Sequence, residues 1–508
     1  MKQVIKYISI ALSIIIYFSC SNFEDINTNP DASTKVNSSL LATGVISNLV
    51  KPVSMYNFTD HLFVSMYLGW GEGTKGEQYN NFGRINFDKY TLLKDCETMA
   101  ELAPDDAKNA YEGLGLLIKS ITLFNLTISV GDIPYSQILQ GEEGVFTPKY
   151  DSQKDVCLHI LEDLETAYSK LSNATDFEGD IVYGGDSKKW AKVVSAFQLR
   201  VLINLSKKAT DQDLKIVERF KKVYDTGLLM ESNTDNLQLT FSDKAGQLYP
   251  INSSQYQHWE YPMVSDFMID ILKRNQDYRL FYYAKPSQIK LDEGISSNSW
   301  DAFVGVDPTA PLAEIKSLFA QKACSGLNAR YVSYIPGEPF ITLGYAEQNF
   351  ILAEAALRGW INGDPNEFYK RGIRANMEFI SKYTPDDITY HYGHPLTPEY
   401  ISAFIEKESV QLTGSLDDKL EKILEQKYIA AFMQLPYQPY FDYRRTGYPK
   451  FSINPKTNMN FNAPDKIPVR WKYPEVEISY NKANLEEALQ RQFGGSDEIN
   501  KLMWILQE

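Results

Sequence analysis

The chain has 508 residues, a formal net charge of −14 at pH 7, and 44% hydrophobic against 23% charged residues. That length exceeds one ordinary core yet shows no linker that would divide it, and the acidity argues against nucleic acid or an anionic membrane face as partner. Beyond Cys20 the cysteines Cys96, Cys157 and Cys324 are too few and too widely spaced for a disulfide framework or a zinc site, and read as buried apolar thiols.

At the N-terminus, Met1 is followed by Lys2 and Lys6 and then by an apolar run from Tyr7 to Phe18. A basic start and an apolar stretch too short to span a bilayer read as an export signal over residues 1–19. The run ends in Ser19-Cys20, a small residue before a cysteine, as a lipoprotein signal peptidase requires. Tyr17 stands where such sites usually carry Leu, and ordinary cleavage with Cys20 incidental is the alternative. Lipidation of Cys20 attaches several acyl chains, enough for stable anchoring. Residues 20–35 are polar and read as a flexible tether; residues 36–508 read as a single folded domain. Setting Lys2 and Lys6 aside moves the net charge from −14 to −16, to which a neutral saccharide is indifferent. No later apolar run is expected to act as a transmembrane helix, so the remainder is expected to fold in water.

Downstream, apolar spacing predicts helices in pairs. Ala107 to Val130 presents Leu114, Leu117, Ile118, Ile121 and Phe124 on one broad face, and Gln153 to Leu171 follows behind the cap Asp151-Ser152. Lys188 to Lys208 comes next; Gly344 to Trp360 then pairs with Pro365 to Tyr383 across the turn Asn362-Gly363-Asp364, and Leu416 to Met433 adds one more. Stacked pairs of this kind resemble degenerate tetratricopeptide repeats, which bury a shared core. Long aromatic, Gly/Pro-rich stretches at 69–90, 131–150, 234–262 and 286–339 separate them, and loops of that length are normally functional or structured in their own right. Val469 to Tyr480 alternates enough to predict a late strand. The fold class is therefore mainly α: a helical-repeat scaffold with loop-rich, partly β or irregular insertions forming a ligand-binding face.

Several segments in a fixed order resemble the SusD/RagB family, specifically its SusD-like branch of starch-associated outer-membrane proteins. They are Phe23-Glu24-Asp25-Ile26-Asn27-Thr28-Asn29-Pro30, Gly131-Asp132-Ile133-Pro134-Tyr135-Ser136, Thr147-Pro148-Lys149-Tyr150-Asp151-Ser152, Gln426-Lys427 followed by Asp442-Tyr443-Arg444-Arg445-Thr446-Gly447-Tyr448-Pro449, and Ile467-Pro468-Val469-Arg470-Trp471-Lys472-Tyr473-Pro474 with Glu477. Their order spans nearly the whole chain. The resemblance implies an outer-membrane lipoprotein, exposed at the cell surface, that captures an oligosaccharide and delivers it to a SusC-like TonB-dependent barrel. RagB-like members imply peptide as the alternative cargo, and a surface glycoside hydrolase is the remaining rival. On physical grounds most of these motifs are structural. Gly131 ends a helix and Asp132 and Pro134 set a turn, while Asp442 beside Arg444 and Arg445 suggests a partly buried ion-pair network, with a phosphate site at the two arginines as the lesser reading.

Catalytic constellations are not apparent. A glycosidase needs two carboxylates at a set separation, and the visible pairs, Glu142-Glu143 and Asp417-Asp418, lie in polar turns. His391 and His394 lack a third metal ligand, and Gly69, Gly71, Gly73 and Gly76 lack the Lys-Ser/Thr ending of a phosphate loop. No cofactor, metal or catalytic residue is implied. A sugar site instead needs flat aromatic faces and amide or charged donors. Aromatics in polar, glycine-rich loops are Trp70 and Tyr79, then Tyr256 and Trp259, then Trp300. Family members carry ligand-contacting aromatics in the first long loop, so the resemblance extends that role to Trp70 and Tyr79. Trp70, Trp259 and Trp300 are expected to converge on one exposed face opposite the repeats.

Overall fold

A computed structural model describes residues 36–52, 58–73, 76–254 and 258–508; the export signal, Cys20 and the tether lie outside these. Among the described residues, α-helices carry the architecture and strands are confined to two short antiparallel pairs. Helix starts follow the capping chemistry of the sequence. The Ser152 hydroxyl accepts from the Asp155 amide to open Gln153–Ser172, Asp186 caps Ser187–Asn204, and Asp364 caps Pro365–Lys382 with Pro in the first turn. Ser415 and Asp418 form a reciprocal capping box at Leu416–Ala431. Gly131, at φ 104°, ends Lys108–Val130 in a conformation that disfavours any side chain.

Two antiparallel hairpins dominate the packing: Lys108–Val130 against Gln153–Ser172, and Tyr345–Leu357 against Pro365–Lys382. Lys108–Val130 is 23 residues long and apolar enough to cross a membrane by composition, contrary to the expectation that no such run follows the export signal. Its neighbours bury most of it, which is why Leu114, Leu117, Ile118, Leu123 and Phe124 have almost no exposure. Cys96, Cys157 and Cys324 are free and buried.

Buried charge ties the second hairpin to the helices around it. Arg445 donates to Glu354 at 2.8 Å and to Asp442 at 2.8 Å, and Lys427 reaches Asp442 at 2.9 Å. All four side chains are buried, and together they join Tyr345–Leu357, Leu416–Ala431 and Gln438–Thr446. Arg200 forms a second buried pair with Glu347 on the same central helix. The Asp442–Arg445 motif is thus structural. Arg444 donates to the carbonyls of Val469, at 2.9 Å, and Ile128, so no guanidinium remains for a phosphate.

The expected strand over 469–480 does not form. Arg470, Trp471 and Tyr473 are all buried, so the alternation reflects packing on both sides of an extended segment. Its amides bond to scattered carbonyls: Val469 to Ile499, Trp471 to Ser129 and Lys472 to Gly83, each at 3.0 Å. Pro474 then opens the helix Glu475–Tyr480, with Glu475 and Glu477 favourably placed in its first turn. The stretch 286–339, read as one long loop, contains three short helices, among them Leu312–Ala320.

Burial alone would raise the Glu354 carboxyl, but Arg445, with Arg358 and Lys427, outweighs it and holds it at about 2. A folded-state value below the ordinary 4.5 contributes stability above pH 4.5 that is lost as pH falls toward 2. Arg445→Ala leaves Glu354 and Asp442 buried and short of a partner, at a cost of about 3–5 kcal/mol. A lowered thermal midpoint at pH 7, with a flatter acid limb than wild type between pH 4.5 and 2, is the expected result.

Candidate functional site

Strand Leu68–Trp70 pairs antiparallel with Pro262–Val264, placing Leu68 opposite Val264, Gly69 opposite Met263 and Trp70 opposite Pro262. Two glycines let the chain 306–319 close over this ribbon. A Cβ on Gly69 would meet the Val306 side chain at 2.7 Å, and one on Gly71 would run into the Phe319 ring. Helix Leu312–Ala320 therefore lies directly on the ribbon, and Met263, Val306, Ile315 and Cys324 form a small core separate from that of the helical scaffold.

This helix stands between two openings. On one side is a cavity of about 90 Å³ bounded by Trp70, Tyr79, Gln78 and Asn80 with Leu312 and Ile315. Trp70 is half-buried, edge-on to Phe63 at 6.0 Å and Tyr261 at 5.2 Å. Tyr79 is buried, and burial, reinforced by Asp307, pushes its phenol up to about 12 against hydrogen bonds from Thr457 and Asn80. The Gln78 amide donates to the Asn80 side-chain oxygen at 2.8 Å. An aromatic wall beside carboxamides can receive the apolar face and the hydroxyls of a pyranose.

On the other side is an open cleft of about 450 Å³, with Met263, Phe319 and Tyr392 as its apolar surface and Lys285, Lys322 and Glu260 as its charges. Trp259 is half-buried beside it, with the Lys285 ammonium 5.6 Å from its ring centroid.

Of the aromatics selected from sequence, Trp70 and Tyr79 share the smaller cavity, and Trp259 borders the cleft across the helix. Tyr256 lies outside the described residues. Trp300 opens a short 3-10 helix and packs on Phe281 at 4.8 Å, Tyr278 at 6.3 Å and His394 at 6.1 Å, and it lines neither opening. Sequence reasoning passed over Lys285 and Lys322. A lysine set in the aromatic run Tyr282-Tyr283-Ala284-Lys285-Pro286 was the available signal.

The residues weighed for catalysis are engaged elsewhere. Glu142, Glu143, Asp417 and Asp418 are exposed, Asp418 serving its capping box. His391 bonds Asp386 at 3.0 Å, while His394 stacks on Phe281 at 3.8 Å and reaches the Asn298 carbonyl at 2.8 Å.

Overpacking at Gly71 tests whether the helix depends on the glycine. Gly71→Ala is expected to displace Phe319 at a cost of about 1–3 kcal/mol. Limited proteolysis should then cut within 307–324 faster than in wild type, and an unchanged cleavage pattern would show that the ribbon tolerates the methyl group.

Comparison with known proteins places this geometry in context. The profile of a family described as SusD-like, starch-binding and associating with the outer membrane matches residues 30–474. A SusD homologue from Bacteroides fragilis is 50% identical, with a TM-score of 0.90 over 93% of this chain and 100% of that one. A Bacteroides vulgatus outer-membrane protein linked to nutrient binding is 33% identical, with a TM-score of 0.84 over 93% and 100%. A chitin-binding SusD homologue from Flavobacterium johnsoniae shares the fold at 21% identity, with a TM-score of 0.70 over 93% and 99%. A search of the curated proteins finds no match.

Proposed function

Since the chain belongs to the SusD-like family of starch-binding proteins that associate with the outer membrane, we propose that it is a lipid-anchored, surface-exposed protein that captures an oligosaccharide and passes it to a SusC-like TonB-dependent barrel. The observation that carries this reading is the cavity where Trp70 and Tyr79 stand beside the Gln78 and Asn80 carboxamides. Trp259 extends the binding face across helix Leu312–Ala320, and Tyr256, three residues earlier in sequence, is a further ligand-contacting aromatic of this reading. Trp300, whose ring is spent on Phe281 and Tyr278, serves as a packing anchor. The protein acts by binding and performs no hydrolysis. Cys20, behind an export signal, supports anchoring at the membrane.

A peptide cargo is the rival reading, and a ligand panel separates the two. Titration with neutral oligosaccharides is expected to identify at least one ligand. Against it, Trp70→Ala should lose at least about tenfold in affinity, while Trp300→Ala keeps affinity and loses thermal stability. Equal affinity of Trp70→Ala and wild type would remove Trp70 from the site, and binding of peptides with no glycan affinity would establish the rival. Cys20→Ser should abolish incorporation of labelled palmitate, and purification from native outer membranes should recover a TonB-dependent barrel with the wild-type protein. Recovery of the protein always alone would count against the transporter partnership.

A further inference from the structure

The larger cleft differs from the Trp70 cavity in charge, and the placement of its two lysines is built into the fold. The Lys285 amide donates to the Gly326 carbonyl at 2.9 Å, fixing the backbone at the cleft wall. A Cβ on Gly326 would stand 2.8 Å from Lys285 Cε, so the glycine makes room for the lysine stem to lie across it. The half-buried ammonium then sits 5.6 Å from the Trp259 ring centroid. Lys322 also lines the cleft, where it terminates helix Leu312–Ala320 in a left-handed cap at φ 53°, its amide donating to the Phe319 carbonyl at 2.9 Å; Tyr392, a further lining residue, caps Ile388–His391 in the same way.

Half-buried lysines elsewhere differ in their partners: Lys119 pairs with Asp163 at 2.9 Å and Lys192 with Asp235 at 3.0 Å, whereas Lys208 lies over the Trp504 ring and Lys407 donates to the Gln276 carbonyl at 3.1 Å. Among the described residues, neither Lys285 nor Lys322 forms an ion pair. Burial lowers the Lys285 ammonium below the usual lysine range, Glu260 pulls the other way, and Lys322 adds to the lowering. Glu260, exposed at the rim, is the sole carboxylate on the described lining, which leaves two ammonium groups to one carboxylate. A partly desolvated cation without a counter-charge is unfavourable until an anion supplies one.

We propose that this cleft binds an acidic sugar, a pyranose bearing a carboxylate or sulfate group, with Lys285 and Lys322 gripping the anion and Phe319 and Tyr392 receiving the ring. Gln288 and Ser297, also on the lining, are placed to bond ring hydroxyls. The inference rests on the oligosaccharide-binding reading and narrows its substrate class: acidic glycans engage the cleft, neutral ones the Trp70 cavity. Glu260 repels the anion and favours the ring hydroxyls, so the ligand's charged end points away from it.

The test is calorimetric titration of the full chain with an oligogalacturonate, a sulfated galactan oligosaccharide free of uronic acid, and a neutral galactan oligosaccharide of equal length. At least one anionic ligand should bind at least about tenfold tighter than the neutral one, and its affinity should fall with added salt. The carboxylate and sulfate arms tell which anion is preferred. Lys322→Gln, at an exposed position that folding tolerates, should lose about tenfold for the anionic ligand and nothing for a neutral one. Gly326→Ala, which keeps both lysines but displaces the Lys285 stem, should lose affinity in the same direction. Equal or tighter binding of the neutral galactan, unchanged affinity in both variants, or equal competition by poly-glutamate would overturn the proposal. Binding of neutral glycans alone would sink the acidic-sugar inference and leave the proposed function standing; binding of no glycan at all would sink both.

Discussion

Four charges with no access to water hold this protein together. Glu354, Arg445, Asp442 and Lys427 come from three helices, and each is buried only because the others are present. An ionised group moved alone into such an interior costs several kcal/mol, so the network forms complete or fails. That requirement sets the mutual position of Tyr345–Leu357, Leu416–Ala431 and Gln438–Thr446 more sharply than apolar packing, which tolerates sliding. The same central helix carries Glu347 to Arg200, bringing the earlier hairpin region into register with the later one. Other buried arginines repeat the device: Arg279 on Asp277 with Asn376 and Gln426, and Arg330 on Glu338.

The candidate site is linked to this network. Tyr428, next to Lys427, stacks on Tyr67 at 4.2 Å, and the Tyr67 hydroxyl donates to the Tyr428 carbonyl at 2.6 Å. Tyr67 leads directly into strand Leu68–Trp70, so the position of Trp70 is inherited from the helix that carries Lys427. Beyond that strand the packing changes character. Helix Leu312–Ala320 rests on the ribbon through Gly69 and Gly71 over a small core of its own, with a smaller cavity on one side and a larger cleft on the other. A rigid scaffold carrying a lightly attached loop layer is an arrangement in which ligand chemistry can vary without disturbing the fold.

Three of the segments that carry the family resemblance, 131–136, 147–152 and 467–474, meet around the end of the Lys108–Val130 helix. Asp132 accepts from the Gln153 amide at 2.7 Å and from Arg491 at 2.6 Å, and burial, offset in part by Arg491, still raises its carboxyl to about 6. Tyr473 donates its hydroxyl to the Asp132 carbonyl at 2.8 Å, and Arg470 donates to the Val130 carbonyl at 3.2 Å. Segments more than 300 residues apart thus close over one helix end, satisfying carbonyls that would otherwise be orphaned. These residues serve to close the helix end, and none of them lines either opening.

The long helices were legible in the sequence because their determinants are local: apolar spacing over 153–171, caps at Ser152, Asp364 and Ser415, and Gly131 as terminator act within a few residues of one another. The segment 469–480 alternates like a strand at Val469, Trp471 and Tyr473, yet the partners of Val469, Trp471 and Lys472, at Ile499, Ser129 and Gly83, come from three separate parts of the chain. Trp70 and Tyr79 could be singled out as loop aromatics, yet only contacts across the chain decide that they share a cavity and that Trp300 is absorbed by Phe281. Lys285 stands in an aromatic run, a local mark that does not tell what lies against it. Its role follows from Gly326, Trp259 and Lys322, three positions that approach it only when helix Leu312–Ala320 folds onto the ribbon. Sequence alone determined the long helices and the family; tertiary structure decided which candidate residues stand together, because burial and charge pairing depend on neighbours that no local pattern encodes.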